Sequence, residues 1–310
     1  GAVFIGCTYG LGGLASLSIL LNRWFESHKG LAFGICATGS GIGVIVVPLI
    51  AAALIENHSL IFTFRVICMT FVVCAVLIWI IMRNQPEDKN LAPLMEEERK
   101  KKKTHHTPSI TAAGTTASLI MFLMCILIGI SSNPPYQHLP VLLDSGGFDS
   151  FAISRMIFIS GIAASIGKLM YGQLIDIMGT YRANYILFGL NIVGIFLCAL
   201  SNVSSPLLTA GAIICFSVGI SVSTVGPSVY AKDMSTPENY PKTVRNYQLA
   251  TKIGTLILMS VPGIVADKTG SYAPVFVFFG CIAVLCTVIT QILYHQAVQR
   301  SASNSAQTST

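Results

Sequence analysis

Charge is what this sequence has least of. Of its 310 residues only 10% are Asp, Glu, Lys or Arg, against roughly 25% in soluble domains. Tryptophan occurs twice. The nine cysteines form no Cys-x-x-Cys pair and lie mostly inside apolar runs. They read as packing residues, not disulfides or metal ligands. There is no His-Glu-x-x-His, no Gly-x-Ser-x-Gly, no phosphate-binding loop and no acidic pair inside an apolar run, which disfavours a membrane enzyme. No cleavable signal peptide is apparent.

What remains is apolar. Hydrophobic residues make up 53% of the chain, and the mean hydropathy is +0.70. No soluble core could hide that much apolar surface, so lipid is the expected solvent. The net charge of +6 does not point to nucleic acid, because the basic residues sit in short clusters between apolar runs. That arrangement orients a chain in a membrane.

A helix needs about 20 apolar residues to cross the hydrocarbon. Nine runs qualify, at 1–21, 31–55, 60–82, 114–135, 151–174, 183–201, 206–229, 244–266 and 272–295. The fold class is therefore an all-α polytopic bundle. Four segments are expected: 1–82 with three helices, a polar linker over 83–113, 114–295 with six helices, and a tail over 296–310. Gly1 opens inside an apolar stretch, so the sequence reads as part of a longer chain. The linker carries Glu96-Glu-Glu-Arg-Lys-Lys-Lys-Lys103, then His105-His106. We read the basic run as a topology signal in a solvated loop, with anionic lipid contact as the sharper alternative.

Alternate loops differ in charge. One set holds Arg23, Lys29, Arg83, Lys89, Arg99 to Lys103, Arg182, Lys232, Lys242, Arg245 and Arg300. The other holds little beyond Glu56, Asp144, Asp149, Asp267 and Lys268, with Arg65 and Arg155 near helix ends where they can snorkel. The first set is expected in the cytoplasm, with the C-terminus.

The strongest motif is Gly172-Gln-Leu-Ile-Asp176-Ile-Met-Gly179-Thr-Tyr-Arg182, between the fifth and sixth runs. Its glycines permit a tight turn and close helix approach. Its carboxylate can sit at the amino end of a neighbouring helix, where the dipole favours negative charge. The pattern G-x-x-x-D-x-x-G-x-x-R resembles the loop signature of the major facilitator superfamily. Three further stretches resemble its monocarboxylate and oxalate–formate transporters. They are Asn22 to Gly34 followed by Gly39-Ser-Gly-Ile-Gly43 and Pro48, His138 to Gly146, and Pro262 to Tyr272. The resemblance implies a twelve-helix fold whose helices four to twelve are present here. It also implies secondary transport by alternating access, with the loop motif as a conformational gate. The plasma membrane is the expected location.

Two charges lie well inside runs: Lys168 in the fifth and Lys252 in the eighth. Their positions place both some 5–8 Å to the cytoplasmic side of the midplane, at about 1.5 Å per residue. A lysine there costs about 2.5–3.5 kcal/mol. Two facing one cavity at about 8 Å would add roughly 2 kcal/mol of repulsion. An anionic visitor would relieve both, and a small carboxylate fits. Oxalate–formate transporters carry an arginine where Lys168 stands and a lysine in the setting of Lys252. Lysine lacks arginine's bidentate fork. Animal monocarboxylate transporters carry an aspartate where Ala164 stands, so that acidic partner is missing here. Asn133, Tyr136 and His138 are secondary binding candidates, with Asn191 and Gln248 weaker still. Pro134 and Pro135 are expected to distort their helix and free backbone groups. The expected partners are a small carboxylate, a coupled proton or counter-anion, and lipid. No cofactor or metal is expected. The alternatives are a neutral solute and a non-transporting receptor or scaffold on the same fold.

Overall fold

Lipid offers no hydrogen bonds, so the chain must satisfy its backbone within each segment, and helices do this. The computed structural model describes residues 13–25, 28–83, 85, 114–201 and 203–307. The helices are α1 Leu14–Trp24, α2 Lys29–Asn57, α3 Leu60–Ile81, α4 Gly114–Gln137, α5 Leu139–Ser145, α6 Ser150–Met178, α7 Thr180–Cys198, α8 Pro206–Gly219, α9 Ser221–Met234, α10 Tyr240–Leu258, α11 Val261–Thr269 and α12 Ala273–Gln307. Most of the first expected run, the Glu96–Lys103 cluster and His105-His106 lie outside the described residues.

Seven described helical segments are long and apolar enough to cross a membrane. Two of them join shorter helices: α8 with α9 as Pro206–Met234, and α10 with α11 as Tyr240–Thr269. The second expected run is the 29-residue α2, which rises about 43 Å, ample for a core of about 30 Å. The fold is thus an all-α multi-pass bundle, as its composition implied. The most apolar window of α3 has none of its residues buried. Trp79 is 79% exposed, which suits a lipid-facing helix.

Pro134 and Pro135 lie within α4, which continues through both to Gln137. The interruption comes at His138, whose φ of −89° and ψ of 3° start α5. A proline's effect falls on the carbonyl four residues back, and Ser132 just beyond those carbonyls is buried among neighbouring helices. α12 stays helical to Gln307, through most of the polar stretch after 295.

Small residues set the close packing. A Cβ on Gly129 would collide with the Thr251 carbonyl, and one on Gly254 with the Ile126 carbonyl, so α4 and α10 meet backbone to backbone. The longest seam joins α2 to α6, which run antiparallel. Gly30 and Gly172 face each other there with no room for a side chain, and a Cβ on Gly34 would lie 2.7 Å from the Lys168 carbonyl oxygen. Around these seams sits a core that includes Met121, Cys125, Tyr171, Leu187, Tyr230 and Tyr294. Gly129→Ala and Gly254→Ala should each destabilise the detergent-solubilised protein by about 1–3 kcal/mol, the usual cost of overpacking. Gly211→Ala, with open space around it, should be neutral or gain up to about 1 kcal/mol. Thermal unfolding of the three variants checks this.

Candidate functional site

The α6–α7 turn is built by Gly179. It ends one helix and starts the next with φ 82° and ψ 162°, a region that only glycine occupies readily. One turn before it, Asp176 reaches the amino end of α2. Its Oδ2 accepts from the Leu31 amide at 2.8 Å and its Oδ1 from the Gly30 amide at 3.2 Å. These amides are among those a helix start leaves without partners, and the dipole there attracts a carboxylate. Gly172 lies one further turn along the same seam. Arg182 is exposed on the first turn of α7.

Lys168 lies deeper in the seam. It is 6% exposed, and its Nζ donates to Ser40 Oγ at 2.6 Å and to the Ala37 carbonyl at 3.4 Å, both on α2. Both partners are neutral. Lys252 on α10 is exposed, and its charge reaches Lys168. The structure therefore brings the two lysines into electrostatic range while engaging one of them across the seam.

Of the secondary candidates, Asn133 lies nearest this pair, whereas Tyr136 and His138 separate from it. Asn133 donates to Thr255 Oγ1 at 2.9 Å, one turn from Lys252 along α10, and its Oδ1 accepts from Ser223 at 3.5 Å. Tyr136 accepts from Ser160 at 2.9 Å, which in turn accepts from Ser217. His138 Nε2 meets the Met259 carbonyl at 3.0 Å, and its ring stacks on Tyr272. Met259 stands seven residues beyond Lys252, a rise of about 10 Å. Tyr136 and His138 thus tie helices together at the opposite end of the bundle from the loop motif. Gln248 bonds Ser228, which bonds Ser18. Asn191 is buried with its Nδ2 unpartnered.

Sequence reasoning missed Ser40 and Asp233. Ser40 reads as one more small residue in a glycine-rich stretch. Asp233 looks like loop, yet its buried carboxylate accepts from Tyr294 at 2.9 Å. Its only sequence signal was a charge a few residues beyond an apolar run.

The family model described as the Major Facilitator Superfamily matches residues 1–244. The chain is 24% identical over 306 residues to Monocarboxylate transporter 10 of Homo sapiens, covering 87% of this chain and 55% of that protein. Against Monocarboxylate transporter 10 of Mus musculus it is 22% identical over 312 residues, covering 93% and 58%. The chain therefore spans little more than half the length of these relatives. Its fold is similar to the crystal structure of a bacterial homologue of the iron transporter ferroportin in an outward-facing state. The TM-score is 0.56 at 13% identity, covering 93% of this chain and 65% of that one.

Asp176→Ala should free the amino end of α2. Charge-assisted bonds of this kind contribute about 1.5–3 kcal/mol, so amide hydrogen exchange at Gly30 and Leu31 should quicken by about tenfold or more. Unchanged exchange would mean that the contact does not hold in the membrane.

Proposed function

Because the chain belongs to the major facilitator superfamily, we propose that it forms the greater part of a secondary transporter of small organic anions, monocarboxylates or dicarboxylates, working by alternating access. Residues 1–82 contribute to one half, 83–113 link the halves, 114–295 form the other half, and 296–310 follow on the cytoplasmic side. The lysine-rich loops orient the protein with the Asp176 end in the cytoplasm, in the plasma membrane. Transport rather than catalysis is its activity, and its partners are the carboxylate, a coupled proton or counter-anion, and lipid.

One observation carries the anion reading. Lys168 is buried in the bundle, both of its described partners are neutral, and the exposed Lys252 on α10 adds a like charge that acts on it. Neutral acceptors solvate an ammonium without cancelling its charge, and the second lysine adds repulsion. A carboxylate between them removes both costs. Its binding would pull on α6 and α10 together. The contact of Asp176 with the α2 amino end and the glycine seam beside it would then break and re-form as the halves rock.

A neutral solute is the second reading. It is favoured by the engagement of Lys168 with Ser40, which gives that lysine a structural task without any anion.

Uptake of a radiolabelled organic-acid panel into proteoliposomes tests the proposal, using the polypeptide that carries this sequence. Saturable carboxylate uptake that falls by about tenfold or more in both Lys168→Gln and Lys252→Gln is the expected result, matching the loss of one charge-assisted contact. Undiminished uptake in both variants removes the lysines from the mechanism. Uptake of neutral solutes alone establishes the second reading.

A further inference from the structure

The ammonium of Lys168 does not simply point into open space. It reaches from α6 to α2 and ends on a pair of acceptors that are bonded to each other. Ser40 Oγ, which accepts from Lys168 at 2.6 Å, itself donates to the Ala37 carbonyl at 2.7 Å. The same carbonyl is the second acceptor of Lys168. If the lysine leaves, Ser40 and Ala37 still satisfy one another, and α2 is left with no orphaned group. Thr38 follows the same rule. Its hydroxyl bonds Gly34 within α2 at 2.8 Å as well as Ser165 across the seam at 3.3 Å. At this level of the seam the α2 side can therefore part from α6 cheaply. The cost of parting here falls on the Lys168 ammonium, which would keep its charge and lose both partners; the Asp176 bonds to the α2 amino end are a separate cost.

Ser40 lies at the rim of the seam. It is exposed, as is Gly39 beside it, whereas Lys168 is buried. A small anion can approach the lysine there. We propose that Ser40 is the positioning residue that parks Lys168, and that a substrate carboxylate takes the place of Ser40 and the Ala37 carbonyl when it binds. Anion binding and release of α2 from α6 then become one exchange of hydrogen bonds. Without the anion the seam stays closed, because opening it strands a charge. With the anion it opens, because the charge has a better partner. This inference rests on the anion reading above and adds to it the residue that links binding to movement.

The test uses the polypeptide in proteoliposomes, with L-lactate and oxalate as probes. Ser165, buried in the seam, is replaced by cysteine so that its reaction with N-ethylmaleimide reports opening. Ser40→Ala should lower the KM for the transported probe by about tenfold, since a hydrogen bond to a charge no longer competes. Vmax should not rise. Labelling of Ser165→Cys without any anion should increase by a similar factor. Ser40→Thr, which keeps the hydroxyl, should restore both values, and in the parent either probe should raise labelling. Carboxylate uptake that depends on Lys168, with KM and labelling unmoved by Ser40→Ala, overturns the exchange and leaves the anion reading standing. Labelling that rises in Ser40→Ala but responds to neither carboxylate overturns the exchange and removes the anion reading with it.

Discussion

Everything the C-terminal helices do relative to α2 depends on two backbones lying against each other with nothing between them. Gly30 meets Gly172, and Gly34 meets the carbonyl of Lys168. In lipid the hydrophobic effect does not drive two apolar helices together, because lipid tails are as apolar as leucine. Close packing and polar contacts must do it. Here the packing comes from the glycines and the polar contacts from Asp176 at one end of the seam and Lys168 further along it. The seam is narrow and is held by few described bonds. A joint of that kind suits a protein whose parts must come apart and rejoin.

The two charges of the seam are treated differently. Asp176 sits on free amides at a helix start, an arrangement that stabilises a carboxylate. Lys168 receives a hydroxyl and a carbonyl, and Lys252 stands near enough to repel it. The first is a finished contact and the second an unfinished one. This asymmetry is why we place ligand chemistry at the lysines and assign the aspartate to holding the halves together.

Much of the fold could be read from the sequence, because a membrane helix announces itself by length and composition. The runs at 60–82 and 183–201 match α3 and α7 closely. Where the reading fell short, polar residues at helix ends were responsible. Asp233 looked like loop, yet Tyr294 stabilises it and α9 continues to Met234. Pairing between helices was far less legible. An all-round apolar helix such as α3 carries no stripe to say which face meets a neighbour. The motif around Asp176 suggested that a helix amino end lay nearby but could not say which one. Lys168 and Lys252 were visible because charge in an apolar run is rare. Ser40 was not, since one hydroxyl among glycines looks like packing. The division of Tyr136 and His138 from the lysines needed three dimensions, because a turn of helix erases sequence proximity.

The central claim is that the α2–α6 seam is a joint with two states, governed by an anion at the lysines. Spin labels at Glu56 and Phe151, beyond the seam on its far side from Asp176, would follow it by pulsed electron resonance in proteoliposomes. Two distance populations are expected, with the shorter one growing when lactate or oxalate is added, as the far ends approach while the Asp176 end opens. A single distance that neither carboxylate shifts would contradict the account.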